Sequence, residues 1–492
     1  MAARLEATWF ASRLRGLYEV GEAAAGTPAE RILAERVARI AEEALGFSVR
    51  LIPVPVTVWR VRSFEVSACG QSLEALPLPP SGPFTDSLDV VRDVVWARFR
   101  LDDPDAFLAR VWRRWVHRRL VVVVDERLRR VVVPPRPPLP DSVYDAAPGS
   151  AAVFLTRRAA RLARACGRLV VNLDVVLDAS YGYIVEGVEG GEDVVFAAHH
   201  DHWLGGALDN LTGVLQAIAA AAWMRDRGVR AGFLSFTAEE FGARPLRGWY
   251  WAWGSRFYSE TASWGGGAPR LIVVFDTAVG DVVSSGSALA GMCLEAAGGP
   301  PYLGRDDIDT DSFWFSSSGV ASIAVTSRRL PEVYHSADDT PDRVDPVDAL
   351  RAVRVVTDHL PLRLEGCVEE YFRHVMLRAS RLPLPRTRQE VYRLYRAYQR
   401  RGVEAALALQ EALSVPLEAV GESRWCLCLE EPPWLDWRPG ARECPRLVAY
   451  GDRVVDACPP GGYGVAAGRS LQGLLDSMLA ERLSAAGDRL SV

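Results

Sequence analysis

The spacing of apolar and polar positions changes twice along the chain. In PAERILAERVARIAEEAL (28–45) apolar residues recur at helical spacing and Gly46 follows, which predicts an amphipathic helix. The next segment, SVRLIPVPVTVWRV (48–61), alternates and predicts a strand. Residues 63–175 contain short β-like runs and proline-rich turns, in which LVVVVDE and RRVVVP predict a hairpin around Arg127.

From about residue 180 the pattern becomes regular, because strands that are apolar throughout alternate with helical segments. Strands are predicted at 183–188, 193–200, 232–240, 270–278 and 321–327. Strands without a polar face must be covered on both sides. The pattern therefore predicts an α/β fold with a mostly parallel, doubly wound sheet flanked by helices.

These changes of pattern predict three regions. Residues 1–62 and 176–365 form the main α/β domain, 63–175 a smaller inserted domain, and 366–492 a C-terminal helical region. The helical region contains EVYRLYRAYQRRGVEAALALQEAL (390–413), a strong amphipathic pattern. Residues 424–465 are rich in Trp, Cys and Pro and show no period.

Composition narrows the class of protein. The 492 residues are 49% hydrophobic and 24% charged, which is the balance of a soluble globular protein. No apolar run is long enough to span a bilayer, and the first residues lack the unbroken apolar core of a signal peptide. We therefore expect a cytoplasmic protein without a membrane partner. The net charge of −5 and the scattered basic residues argue against nucleic acid as a partner.

Two residue counts bear on the environment of the protein. Asn172 and Asn210 are the only asparagines, and this depletion of thermolabile amides predicts a thermophilic origin. The chain has eight cysteines, four of them in the last 70 residues. They are reduced thiols in an ordinary cytosol, disulfides in a hyperthermophile, or, in the C-x-C segment, ligands of a structural zinc ion.

Candidate metal ligands follow four of the predicted strands. His199 ends one strand, Glu239 and Glu240 end the next, Asp276 lies near the end of a third, and His335 follows the last. Asp209 begins the helix between the first two strands. Since ligands of such sheets bind beyond the carboxyl ends of the strands, we expect these side chains to meet at one edge.

This set of residue types suits hydrolysis with two metal ions. Two divalent ions about 3.5–4 Å apart activate water against a carbonyl group. They require one bridging carboxylate and imidazole or carboxylate ligands on each side, a mixed set that zinc prefers and that cobalt or manganese also accepts. A further carboxylate must take the proton of the water. Glu239 and Glu240 can divide these roles, because consecutive residues that leave a strand point in different directions.

Five short motifs resemble those of the di-zinc aminopeptidases of metallopeptidase family 28. They are FAAHHDH, GALDNLTG, SFTAEEFG, VFDT and VYHSADDT, in that order, and the resemblance covers about 180–365. Two positions depart from the family pattern. Leu208 precedes Asp209 where a second acidic residue is frequent, and Ser312 in TDSFWF stands where histidine is common.

The resemblance implies a role for each matching residue. The implied ligands are His199 and Asp276 for one zinc ion, Glu240 and His335 for the other, and Asp209 for both. Glu239 is implied as the general base, Asp201 as the residue that orients His199, and Tyr334 as a hydroxyl that helps bind the oxyanion. Residues 63–175 would be the counterpart of the protease-associated domain found in many members.

The predicted function is that of a zinc exopeptidase, most directly an aminopeptidase that acts on peptides. A carboxypeptidase remains an alternative, with Arg328 as the cation for the terminal carboxylate. A single-zinc glutaminyl cyclase is disfavoured because neither half of the metal site looks degraded. The intact Glu239 argues against a non-catalytic binding protein. The sequence leaves the oligomeric state open, including a homo-oligomer.

Several residues near the motifs have simpler explanations. We expect His200 and His202 to be structural or to lie at the rim of the site. Trp249, Trp251 and Trp253 are expected in the core or, failing that, in an apolar pocket for a substrate side chain. The acidic run RDDIDTD (305–311) lacks the ligand spacing of a calcium loop.

Overall fold

A ten-stranded mixed sheet and a separate four-stranded sheet form the framework of the protein. The computed structural model describes residues 6–101, 119–133, 151–242, 251–262, 267–304, 306, 310–318, 320–362, 364–381, 385–413, 448–450, 453–455, 480–481 and 483–490. The strands in chain order are β1 (Arg50–Ala68), β2 (Gln71–Ser72), β3 (Ala75–Pro77), β4 (Phe84–Asp89), β5 (Val94–Arg98), β6 (Leu120–Asp125), β7 (Ala151–Thr156), β8 (Arg168–Gly187), β9 (Val194–His199), β10 (Ala231–Phe236), β11 (Leu271–Phe275), β12 (Val282–Gly286), β13 (Tyr302–Gly304), β14 (Ser322–Ser327), β15 (Val448–Tyr450) and β16 (Arg453–Val455).

Helices cover the large sheet and continue beyond it toward the C-terminus. They are α1 (Ala7–Tyr18), α2 (Pro28–Leu45), α3 (Arg157–Cys166), α4 (Thr212–Asp226), α5 (Trp253–Thr261), α6 (Ala288–Ala296), α7 (Asp311–Ser317), α8 (Pro346–Thr357), α9 (Val368–Arg381), α10 (Pro385–Arg401) and α11 (Val403–Leu413). The predicted helix at 28–45 is confirmed. The Thr27 side chain accepts a hydrogen bond from the amide of Glu30, and Gly46 ends the helix at φ +79°.

The centre of the large sheet is parallel, as predicted. The strand order is β13-β12-β14-β11-β9-β10-β8-β1-β2, with β4 also paired to β8. The four strands β14, β11, β9 and β10 run parallel, and antiparallel pairs flank them. All six residues of β9 and all six of β10 are buried, which explains their unbroken apolar sequences. The carboxyl ends of these central strands therefore lie at one edge.

Helix α4 packs directly on the parallel strands and is buried over thirteen of its fifteen residues. Its alanine-rich sequence lets the helix approach the sheet closely. Gln216 is its one buried amide, and the side chain donates hydrogen bonds to the carbonyl oxygens of Ala278, at 2.6 Å, and Ala349, at 2.9 Å. This amide ties α4 to the segment after β11 and to α8.

The four-stranded sheet, β3-β7-β6-β5, lies inside the predicted insertion, and we call it the accessory sheet. The prediction of a hairpin around Arg127 is wrong. Strand β6 pairs in parallel with β5 on one side and β7 on the other, so neither of its edges is free for a returning strand. Val131 and Val133 instead bury their side chains in the apolar cluster on one face of this sheet.

Two long strands extend the main sheet into the predicted insertion. Strands β1 and β8 pair from Arg50 opposite Glu186 to Ser67 opposite Val170, with an irregularity between Val61 and Ser63. This ladder crosses the predicted boundaries at 62 and 176. The three-region division therefore stays a prediction, with a sheet that continues from one region into the next.

The C-terminal region is helical where the structure describes it. Gly402, at φ +51°, separates α10 from α11 within the segment predicted as one helix. Four cysteines form two disulfides, Cys69–Cys166 and Cys293–Cys367, which is one of the states that the sequence left open. The C-terminal cysteines Cys426, Cys428, Cys444 and Cys458 lie outside the described residues. Among the described helices, none has the length and apolar composition needed to cross a membrane.

The buried strand that leads to His199 should be sensitive to loss of volume. Phe196 is fully buried in β9, so Phe196→Ala is expected to lower the free energy of unfolding by about 3–5 kcal/mol. Urea unfolding in the presence of a chelator measures this without a contribution from metal binding. Val91→Ala, at a side chain that is 80% exposed, is the control and should change stability by less than about 0.5 kcal/mol. A similar small change in Phe196→Ala would contradict the assigned core.

Candidate metal centre

The predicted ligands meet at the carboxyl edge of the parallel strands. His199 is the last residue of β9, and Asp276 follows the last residue of β11. Glu239 and Glu240 lie in the loop after β10, three and four residues beyond its end. The remaining two ligands are Asp209, in the segment Ala207–Leu211 before α4, where its own backbone is not helical, and His335, in the loop after β14.

The side chains form two neighbouring clusters. One contains His199, Glu239 and Asp276, the other Asp209, Glu240 and His335, and within each cluster the ligand atoms lie within 4.8 Å of one another. Asp209 faces both imidazoles. Its Oδ1 lies 3.5 Å from Nε2 of His199, and its Oδ2 lies 3.1 Å from Nε2 of His335. Asp209 therefore lies where a bridging carboxylate is required.

The chemistry of the donors fits divalent cations. Within the described part of the chain, Oδ2 of Asp209 and Oε1 of Glu240 are buried without a hydrogen-bond partner. Both oxygens face Nε2 of His335, at 3.1 and 3.0 Å. Two imidazole nitrogens and several carboxylate oxygens are a set that zinc accepts. Buried oxygens without a donor are what a metal ion would satisfy.

The pKa values reflect this crowding of charges. Burial lowers the pKa of His335, but the charge of Glu240 and the carboxylate of Asp209 raise it to about 10. Burial raises the pKa of Asp209, and the two imidazoles outweigh that effect and hold it below its usual range. The pKa of Glu239 is raised well above its usual value by burial, which the charge of His199 only partly offsets.

Each histidine is oriented by a main-chain carbonyl group. Nδ1 of His199 donates to the carbonyl oxygen of Asp201 at 2.9 Å, and Nδ1 of His335 donates to that of Arg130 at 2.8 Å. With Nδ1 as the donor, Nε2 of each ring faces the carboxylates, and it can bind a metal ion once it has lost its proton.

The carboxylate of Asp201 has a different contact from the one predicted. It was expected to orient His199, but its Oδ1 lies 3.9 Å from Nδ1 of that ring. It accepts hydrogen bonds from the amides of Glu239, at 3.1 Å, and Glu240, at 3.2 Å. The main chain of Asp201 orients the histidine, and its side chain holds the turn that carries both glutamates.

Asp339 holds the backbone at Asp209 as Asp201 holds the backbone at the two glutamates. Asp339 was not identified in the sequence analysis. Its carboxylate accepts hydrogen bonds from the amides of Leu208, at 2.8 Å, and Asp209, at 3.1 Å. Burial raises its pKa to about 7. Asp339 belongs to the motif VYHSADDT, but nothing in its spacing distinguishes it from the exposed Asp338 beside it.

The main chain is strained next to several ligands. Ala238, Thr277 and His335 have φ values of +57°, +49° and +55°. Residues other than glycine rarely adopt such values. Ala238 precedes Glu239, Thr277 follows Asp276, and His335 is itself a ligand. Such conformations persist only where the surrounding contacts fix them, and they cluster at functional sites.

Tyr334 and the 310–315 segment border the site. The ring of Tyr334 stacks on His335 at 3.7 Å, and burial together with the carboxylates of the site raises the pKa of the phenol well above its usual value. Ser312, where the resemblance has histidine, donates its hydroxyl to Asp306. The buried Asp311, which sequence reasoning missed as a site residue, has a pKa raised to about 7 by burial.

Several other residues that the sequence analysis named near the motifs have identifiable contacts. His200 is fully buried and contacts Ser235 at 2.9 Å and Glu30 at 3.1 Å, so its role is structural, as predicted. Trp253 is buried and donates to the carbonyl oxygen of Pro55, as predicted for a core residue. Trp249 lies outside the described residues. Arg328 forms an ion pair with Asp281.

Comparison with known proteins agrees with this site. Residues 184–359 match the model of Peptidase family M28. This segment of the chain is similar to that family, and it carries all the candidate ligands. No curated protein matches the chain.

Several solved structures share the fold of most of this chain. An aminopeptidase from Aneurinibacillus sp. strain AM-1 is 15% identical, with a TM-score of 0.51 over 73% of this chain and 94% of that one. A zinc aminopeptidase from Bacillus subtilis is 16% identical, with a TM-score of 0.53 over 72% and 94%. A Peptidase M28 precursor from Shewanella amazonensis is 16% identical, with a TM-score of 0.54 over 72% and 95%. At these identities the likeness shows the mixed α/β fold.

Zinc binding to the candidate centre is expected to release protons. The pKa of His335 in the metal-free protein is about 10, and an imidazole must be neutral to bind a metal ion. Below that pH the ring is protonated, so the apparent affinity for zinc should rise with pH, by up to about tenfold per unit for each proton released. Calorimetric titration in buffers with different enthalpies of ionisation counts these protons.

The control for this titration is His359→Gln, whose ring bonds to the carbonyl oxygen of Val355 in α8. It should release as many protons as the wild type, and His335→Ala fewer. A heat of binding that does not depend on the buffer would contradict the charge state assigned to His335.

Proposed function

We propose that this protein is a metal-dependent exopeptidase, and most directly an aminopeptidase that removes N-terminal residues from peptides at a centre with two zinc ions. The observation that carries the proposal is the placement of Asp209, with one carboxylate oxygen toward each histidine, between two clusters of ligands. Cobalt or manganese would suit the same donors.

Two zinc ions at these ligands would lower the pKa of a water molecule and polarise the substrate carbonyl group. The protein's own contribution begins with Glu239. Its Oε2 lies 4.0 Å from Nε2 of His199, and its raised pKa favours uptake of a proton by the carboxylate. Asp201 fixes the amide of Glu239, which supports the role of this side chain as the general base.

Tyr334 is proposed to donate a hydrogen bond to the oxyanion that develops on the carbonyl oxygen. Its pKa is raised by burial and by the charges of Asp209, Glu240 and Glu239, so the phenol keeps its proton. A hydroxyl held beside the reacting carbonyl stabilises charge that appears only in the transition state. The stacking of its ring on His335 fixes the ring plane.

The position of Arg328 favours an aminopeptidase over a carboxypeptidase. Arg328, the predicted cation for a terminal carboxylate, forms an ion pair with Asp281. A carboxypeptidase that used Arg328 would first have to open this ion pair. The carboxylates of Asp276 and Glu239 give no preference of their own, because two bound zinc ions would offset their charge.

Glu239→Gln tests the proposed mechanism. The amide keeps the shape of the side chain but cannot accept a proton, so we expect kcat to fall by about 10²–10⁴-fold, while both zinc ions remain bound. Activity on aminoacyl amides and zinc content by mass spectrometry are the measurements. Glu260→Gln, at an exposed glutamate paired with Arg256, should behave like the wild type. Full activity of Glu239→Gln would refute the assignment of the base.

Peptides with one blocked end test the choice of exopeptidase. We expect hydrolysis of peptides with an amidated C-terminus and none of peptides with an acetylated N-terminus, because an aminopeptidase acts on a free N-terminal ammonium group. The opposite preference would indicate a carboxypeptidase. Chelator-treated protein is the control, and restored zinc should restore cleavage.

A further inference from the structure

We propose that Arg129 and Arg130, which follow strand β6 of the accessory sheet, are positioning residues that hold His335 where it binds metal. This inference rests on the proposed function only in treating His335 as a ligand. Both arginines lie in the segment predicted as half of a hairpin, about 200 residues from His335 in sequence.

The main chain of Arg130 contacts His335 on two sides. The amide of Arg130 donates to the carbonyl oxygen of His335 at 2.9 Å. The ring of His335 returns a hydrogen bond from Nδ1 to the carbonyl oxygen of Arg130 at 2.8 Å. Arg129 and Ser336 also form an isolated antiparallel bridge. One dipeptide therefore fixes both the main chain and the ring orientation of this ligand.

The side chain of Arg129 reinforces these contacts from inside the protein. Its guanidinium group is 3% exposed and donates to the carbonyl oxygens of Tyr334 and Glu332, the latter at 2.6 Å. Asp125, the last residue of β6, pairs with it at 3.2 Å, and the ring of Phe99 lies 5.5 Å from it. The guanidinium group thus links the rigid end of β6 to the loop that carries the ligand.

The side chain of Arg130 anchors the dipeptide on the opposite side. It forms an ion pair with Glu22 and lies between the rings of Trp59 and Trp203, at 5.7 and 5.5 Å from their centroids. Trp59 belongs to β1, and Trp203 follows His199 by four residues. Arg130 is therefore held by β1, by Glu22 and by the segment that follows His199, a member of the first metal cluster.

His335 needs such support because of its backbone. Its φ of +55° is a conformation that a histidine keeps only under constraint, and it lies in a loop rather than a strand. Metal ligands must stay within about 0.5 Å of the productive geometry, and partners of this kind govern metal affinity. The contacts from Arg129 and Arg130 meet that requirement, so the accessory sheet belongs to the metal centre rather than to a separate module.

The test compares Arg129→Met, Arg129→Lys and the control Arg127→Met, each as the full chain. Arg127 is 37% exposed and reaches the same loop through ion pairs with Asp338 and Glu332. Hydrogen exchange of residues 332–336 in the chelated protein measures how well the loop is held. Titration with cobalt(II), followed by absorption spectroscopy, measures the affinity of each of the two metal sites.

For Arg129→Met we expect faster exchange at 332–336 and a Kd for one of the two cobalt ions that is about 10–100-fold weaker, with the other unchanged. Arg129→Lys should be intermediate, because an ammonium group can reach one carbonyl oxygen but not both. Arg127→Met should match the wild type in both measurements. Unchanged exchange in Arg129→Met, or faster exchange with two unchanged cobalt affinities, would overturn the proposal.

Two further measurements separate this inference from general loss of structure and from the proposed function. Circular dichroism shows whether Arg129→Met folds. If it does not, Glu22→Gln replaces it, because this substitution weakens the ion pair of Arg130 at a residue that is 32% exposed. We expect the same faster exchange at 332–336 and the same weaker cobalt binding, but smaller in size. A wild-type protein that binds no cobalt would contradict the proposed function. The exchange rates of the metal-free variants would still decide whether Arg129 holds the loop.

Discussion

Four carboxylates with little exposure to water lie close together at one edge of the sheet, and the surrounding structure must hold them there. Asp209, Glu239, Glu240 and Asp276 bring four carboxylates together, and only two imidazoles oppose them. Charges removed from water are costly unless they are paired. Protons on His199 and His335 compensate in part, as their raised pKa values show. Two divalent cations would neutralise the remaining charge and satisfy the oxygens that lack a donor.

The surrounding structure serves to hold these repelling groups at fixed positions. Asp201 and Asp339 use backbone amides to fix the turns that carry Glu239, Glu240 and Asp209. Helix α4 and the parallel strands set the distance between those turns. The accessory sheet contributes through the Arg129–Arg130 dipeptide, so the centre depends on parts of the chain that are far apart in sequence.

The positions of most of the ligands were predictable because they follow long apolar runs, and such runs form the central strands whose carboxyl ends must coincide. Asp209 instead precedes the apolar helix between two of these strands. The supporting contacts were not predictable in the same way. Asp339 looks no different in sequence from Asp338, and Arg129 no different from the other arginines. Their roles depend on which backbone groups the folded chain brings near them. The hairpin around Arg127 failed for a related reason, since apolar spacing does not reveal that both edges of β6 are already occupied.

The central claim is that Asp209 lies between two metal ions. Anomalous diffraction at the zinc absorption edge, from crystals grown with excess zinc, tests it most directly. The account predicts two peaks about 3.5–4 Å apart. One should lie beside His199 and Asp276, the other beside Glu240 and His335, and both within coordination distance of Asp209. A single peak, or none, at these residues would contradict it.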